Sequence, residues 1–223
     1  MQTVSIFIDT EFESNNMITG NFLQVGMVAF LDGYKEPTDY NLSWKVDSIC
    51  VSFLDQNKQK EESVMNFWNK NEEIRQRILS EAVEITEGFC RIEDWLIDLS
   101  QRYIIKDFVS GIANVDYAWF RNLFLTHSRN QFNLPFKSIC CYSMLETLKL
   151  LGVRKEGNFL ILGDYNIEYK SSILKHTHYA LDDAIEETYS YLKIRELLDF
   201  ISFTNGQKDV FKTYEVKGKI RNL

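Results

Sequence analysis

The sequence predicts an α/β domain on a mixed β-sheet, antiparallel in its opening strands and parallel afterwards, flanked by helices. Three observations carry this expectation. Strand-like runs open the chain, "VSIFI" at 4–8, "FLQVGMVAF" at 22–30 and "YNLSWKV" at 40–46, and polar or Gly/Pro-bearing turns separate them. Helical periodicity takes over after residue 60. From there, short strand-like segments alternate with helices, the pattern of a sheet covered by helices. At 223 residues the chain is long enough to bury one substantial core.

Each later element has its own signal. "SVMNFWNKNEEIRQRIL" at 63–79 repeats Val64, Phe67, Trp68, Ile74 and Ile78 at helical spacing behind Ser63, which reads as an N-cap. "EITEGFCRIEDWLIDLSQRY" at 84–103 places Phe89, Ile92, Trp95, Leu96 and Leu99 on one stripe, with Gly88 expected to interrupt its first turn. "IIKDFVSG" at 104–111 returns to strand character, and a helix begins near Asp116. "SIC" at 138–140 is a short strand, followed by a helix that Gly152 ends. The longest helical pattern runs from Tyr179 to Phe200. Residues 1–200 read as one domain and 201–223 as a basic C-terminal extension with Lys208, Lys212, Lys217, Lys219 and Arg221.

Composition narrows the function. A net charge of −7 argues against a protein that coats polyanions non-specifically, since such binding shows as a basic excess. A local grip on a strand end remains open, above all where part of the acidity is a metal site. No stretch has the form of a signal peptide or the ~20 apolar residues of a membrane span. The expected setting is the cytoplasm, with Cys50, Cys90, Cys140 and Cys141 reduced, because their spacing fits neither a zinc knuckle nor a disulfide framework.

Acids stand in three places where core packing alone would not want them. Asp9 and Glu11 follow the first strand and, by strand alternation, share a face, with Thr10 turned the other way. Asp116 follows a strand and opens a helix, where an acid also favours the helix dipole. "HYALDDA" sets His178 five residues before Asp183 at the start of the long helix. His176 reads as a polar surface or capping residue, and Asp182 and Glu186 as a solvated face.

In that order and context the residues resemble the DEDDh 3′-to-5′ exonucleases of the ribonuclease H-like fold. Asp9 and Glu11 match the first motif, Asp116 the second, and His178 with Asp183 the third. The likeness runs from residue 4 to about 200 and sharpens within the branch of RNase AS-type exoribonucleases and a phage exonuclease A, on "DTEF" at 9–12, "NFWNKN" at 66–71 and "HYALDDA" at 178–184. That branch commonly has two tryptophans and then a glutamine, where this chain has Phe67, Trp68 and Asn71.

The resemblance implies two divalent ions, Mg²⁺ or Mn²⁺, with Asp9 between them, Glu11 and Asp183 on the nucleophile side and Asp116 on the leaving-group side. It makes His178 the general base, on a segment able to close over substrate, and places Thr10, Phe12, Phe22 and Leu23 at the terminal nucleotide. For Phe12, Phe67 and Trp68, core packing is the competing role. The implied substrate is single-stranded nucleic acid, RNA ahead of DNA, with nucleoside 5′-monophosphates as products, no membrane, and a homodimer as in many relatives. A 3′-to-5′ DNA exonuclease and a silent nucleic-acid-binding or interaction module on the same fold are the alternatives.

Overall fold

A computed structural model describes residues 1–34 and 37–206, with side chains to 202. The first strand, β1 (Thr3–Phe12), pairs antiparallel with β2 (Phe22–Leu31), and β2 pairs antiparallel with β3 (Lys45–Phe53). Two helices follow, α1 (Glu62–Lys70) and α2 (Glu72–Ser80), then a two-residue strand β4 (Ala82–Val83) parallel to β3. The chain continues through α3 (Ile85–Arg102), β5 (Ile104–Ser110), α4 (Asp116–His127), β6 (Ile139–Cys140) and α5 (Cys141–Leu150). β5 lies parallel to β1, and β6 parallel to β5, giving a six-stranded sheet of order β4-β3-β2-β1-β5-β6. A small antiparallel sheet of β7 (Arg154–Glu156), β8 (Phe159–Leu162) and β9 (Tyr165–Glu168) precedes the long helix α6 (Ala180–Gly206).

The alternation of β1 divides the core in two. Ile6 and Ile8 pack with Phe89, Leu96, Phe120 and Phe124 of α3 and α4. Phe7 turns to the opposite face, among Tyr191, Leu192 and Ile194 of α6 and Leu148 of α5. Asp9 and Glu11, two and four residues beyond Phe7, therefore project towards α6.

Several expectations change. The third strand begins at Lys45 rather than Tyr40. Residues 40–44 turn instead, with Leu42 in the left-handed region (φ 47°) and the buried Trp44 indole donating to the Thr38 carbonyl at 2.9 Å. The helix expected over 63–79 is two helices broken at Asn71, whose side-chain amide donates to the Phe67 carbonyl at 3.0 Å and competes with the backbone ladder. Ser63 lies inside α1 and its hydroxyl donates to Glu61, so it is not the cap. Gly88 does not interrupt α3. It is the contact point with β3, where a Cβ would fall 2.6 Å from the Phe53 ring. Glu186 is buried at the α6 face, accepting from the Ser190 hydroxyl, rather than solvated. The small sheet at 154–168 has no counterpart in the sequence expectation. α6 passes unbroken through residue 200, and the basic residues from Lys208 onward lie outside the described residues.

Candidate active site

The site forms where the end of β1 meets the first turn of α6. Asp183 is fully buried there, and its carboxylate accepts the backbone N–H of Thr177 at 2.6 Å and of His178 at 3.0 Å. One carboxylate oxygen from each of Asp9, Glu11 and Asp183 lies within 4.8 Å of the others. Asp116 approaches from the opposite side of β1. Its Oδ1 accepts the Thr10 hydroxyl at 2.8 Å and its Oδ2 the Ile112 N–H at 3.2 Å. Thr10 thus turns its side chain away from its two acidic neighbours and fixes Asp116, an acid that stands outside the tight trio.

Two contacts hold α6 in register with the sheet. Buried Gln24 of β2 accepts the Ala180 N–H at 2.8 Å and donates from its amide to the Ser52 hydroxyl at 2.9 Å. Beside it Gly26 lets the backbone of Ala180 and Leu181 approach so closely that a Cβ would sit 2.3 Å from the Ala180 carbonyl. The end of β1 is fixed from the other direction. The Trp68 indole donates to the Phe12 carbonyl at 2.8 Å. The next residue, Glu13, is fully buried and takes Arg75 at 2.7 Å, Asn21 at 2.8 Å and Lys60 at 3.0 Å.

The electrostatics are those of a site made for cations. Burial, then the charges of Glu11, Glu187, Asp116 and Asp183, hold the Asp9 carboxyl well above its ordinary range, and burial with Asp183, Asp116 and Glu187 does the same to Glu11. Burial also raises Asp116 and Asp183. Asp9 Oδ2 is buried without a hydrogen-bond partner. An orphaned carboxylate oxygen inside a crowd of acids is costly in an isolated chain, and divalent cations remove both the repulsion and the missing partner. The hard oxygen donors of Asp9, Glu11, Asp116 and Asp183 fit such ions.

Glu187, one helical turn beyond Asp183, is a further acid of the site that the sequence reading did not single out. Burial, followed by the charges of Asp116, Glu186 and Asp183, pushes it up to about 8, and its Oε2 has no partner. The i, i+4 spacing of Asp183 and Glu187 was the available signal.

His178 is partly buried, in the left-handed region at φ 63°, a conformation uncommon for a residue with a Cβ. Its ring meets Phe67 edge-on at 4.6 Å between centroids and meets His176 at the same separation. Burial and the neighbouring His176 lower its pKa, so the imidazole is neutral at neutral pH. The Phe67 contact gives the aromatic pair of α1 two tasks, since Trp68 serves the strand end while Phe67 walls the histidine.

Phe12 is half-buried and stacks on Trp119 at 4.9 Å. Phe22 and Leu23, expected at the terminal nucleotide, have no exposed surface. Phe22 packs among Phe53, Phe89 and Trp119, and Leu23 among Trp68, Ile78 and Tyr179. They pack within the core and offer a substrate no surface.

A family model described as the 3′-5′ exoribonuclease Rv2179c-like domain matches residues 4–194. The chain belongs to this family. By sequence, no curated protein matches it significantly. Among solved structures it is similar to cell-death related nuclease 4 (CRN-4), with a TM-score of 0.56 and 16% identity, over 85% of this chain and 62% of that one. It is also similar to the zinc-bound complex of E. coli exonuclease I with single-stranded DNA, with a TM-score of 0.54 and 13% identity, over 96% of this chain and 43% of that one. The chain thus spans less than two thirds of either protein, and at these identities the likeness establishes a shared fold, of the ribonuclease H-like kind.

Proposed function

We propose that this member of the family is a metal-dependent 3′-to-5′ exonuclease acting on single-stranded nucleic acid, RNA ahead of DNA, and releasing nucleoside 5′-monophosphates. The observation that carries the reading is the convergence of Asp9, Glu11 and Asp183 within 4.8 Å, with Asp116 and His178 at its margin. The family's description as an exoribonuclease supports RNA as the favoured polymer. Residues 1–200 are the proposed catalytic domain. The four free cysteines fit a reducing, cytoplasmic setting.

When bound, two divalent ions, Mg²⁺ or Mn²⁺, supply the positive charge that phosphodiester hydrolysis demands on the attacking and leaving oxygens. Asp9, shared between the two, with Glu11 and Asp183 towards the nucleophile and Asp116 towards the leaving group, would hold these ions. Thr10 positions Asp116 through its 2.8 Å hydrogen bond. His178, neutral and walled by Phe67, accepts the proton of the attacking water as the bond from phosphorus to the 3′-oxygen of the penultimate nucleotide breaks. Phe12, backed by Trp119, offers a ring face on which any terminal base can stack, an interaction worth about 1 to 3 kcal/mol and tolerant of sequence.

Chromatography of the products tests the reading. The wild type yields 5′-mononucleotides, while His178→Ala binds Mn²⁺ as before and turns over about 10²- to 10⁴-fold more slowly. Full activity in that variant removes His178 from the chemistry.

A further inference from the structure

Two of the chain's three histidines stand on the segment leading into α6, and both face the same carboxylate. His176 Nδ1 lies 3.3 Å from Asp183 Oδ2. The His176 and His178 rings meet edge-on, 4.6 Å apart at 85°. One nitrogen of each ring and one Asp183 oxygen fall within 4.8 Å of one another. The mechanism above uses His178 and Asp183 and leaves His176 without a task. Its side chain is 48% exposed, so the cluster opens to solvent on that flank.

We propose that His176, His178 and Asp183 form a second metal site, distinct in chemistry from the carboxylate site, which takes a zinc-class dication and thereby switches the nuclease off. Donor type decides the ion. Imidazole nitrogens suit Zn²⁺ and its neighbours in the transition series, whereas Mg²⁺ takes oxygen and keeps its waters. Geometry agrees, because Zn–N bonds of about 2.0 to 2.1 Å place neighbouring tetrahedral ligands roughly 3.3 Å apart. The His176 to Asp183 separation already has that length, and a His178 nitrogen lies within 4.8 Å of both. Two histidines and one carboxylate leave the fourth position to solvent.

The inhibitory consequence rests on the exonuclease reading and follows from shared ligands. Asp183 belongs both to this triad and to the trio with Asp9 and Glu11, and cannot serve both ions in full. An ion on His178 also occupies the lone pair that would accept the proton. Zinc therefore opposes Mg²⁺ at Asp183 and removes the base in the same step.

The test uses the full chain with Co²⁺ as a spectroscopic stand-in for zinc. The wild type is expected to show the ligand-field bands of a nitrogen-ligated, near-tetrahedral cobalt site, bleached by added zinc. His176→Ala and His176→Gln should lose them. In the nuclease assay at fixed Mg²⁺, each variant, referred to its own zinc-free rate, should need at least about tenfold more zinc for half-inhibition, since loss of even an outer-shell partner costs a metal site 10- to 100-fold in affinity. Identical cobalt spectra in wild type and variants, or zinc inhibition that the substitutions leave unmoved, overturns the proposal. The cobalt titration needs no activity. A chain that cleaves no nucleic acid yet shows the His176-dependent spectrum overturns the exonuclease reading and retains the metal site. An active nuclease without that spectrum does the reverse.

Discussion

Gly26→Ala puts a single methyl group against the point where α6 crosses the sheet. The new Cβ would lie 2.3 Å from the Ala180 carbonyl carbon and oxygen and 2.4 Å from the Leu181 nitrogen, where ordinary contact begins near 3.4 Å. These are backbone atoms, so no side chain can swing aside. The helix must retreat by about 1 Å, the difference between those contacts and an unstrained packing distance. The Gln24 to Ala180 hydrogen bond at 2.8 Å is stretched in the same movement, and Asp183, three residues into α6, withdraws from Asp9 and Glu11. Overpacking of this kind costs typically about 1 to 3 kcal/mol of stability. A misplacement of about 1 Å at a catalytic group costs on the order of 100-fold in rate. Urea unfolding and the exonuclease rate in Mn²⁺, measured on the same preparation, should both fall, and the rate should fall further than the folded fraction explains. A variant with wild-type stability and rate would show that this contact does not set the position of Asp183, and the reasoning would fail.

The raised acids predict how stability depends on pH in the absence of metal. Asp9, Glu11, Asp116, Asp183 and Glu187 hold protons in the folded state that they release in the unfolded chain, so stability falls as pH rises from about 4.5 through the Glu187 value of about 8. Thermal unfolding in EDTA should give a lower Tm at pH 8 than at pH 6, and Mg²⁺ or Mn²⁺ should raise Tm more at pH 8; the opposite slope contradicts the crowded-acid picture. Glu13→Ala strands Arg75, Lys60 and Asn21 around a fully buried site, and should cost about 3 kcal/mol in denaturant unfolding. Trp68→Phe removes only the indole donor to the Phe12 carbonyl and should cost about 1 kcal/mol, with a larger effect on KM than on kcat if Phe12 receives the base.

What could be read in the sequence divides along physical lines. Helix stripes such as Phe89, Ile92, Leu96 and Leu99 repeat a local period, so their element was legible. The alternation that put Asp9 and Glu11 on one face is equally local and holds in β1. What failed depended on contacts remote in sequence. Gly88 reads as a helix breaker until β3 is packed against it, and Phe22, expected at the terminal nucleotide, is enclosed by Phe53, Phe89 and Trp119. The Asn71 break and the turn through 40–44 depend on side chains bonding carbonyls, which no hydrophobic period reports. Asp116 was singled out by its place after a strand, His176 reads as a polar surface or capping residue, and Glu187 was not singled out at all. Glu187 stands one turn from Asp183 on α6, and the segment leading into α6 brings His176 to the same carboxylate.

The central claim is that acids gathered at the β1 and α6 junction cleave nucleic acid from the 3′ end. Its most direct measurement follows matched single-stranded RNA and DNA of one sequence, labelled at the 5′ end or at the 3′ end, in Mg²⁺, in Mn²⁺ and in EDTA, with Asp9→Ala in parallel. The account predicts stepwise shortening of the 5′-labelled strand and immediate release of the 3′ label as a mononucleotide, faster on RNA, absent in EDTA and absent in the variant. Internal cuts, release from the 5′ end, or cleavage that survives Asp9→Ala would contradict it.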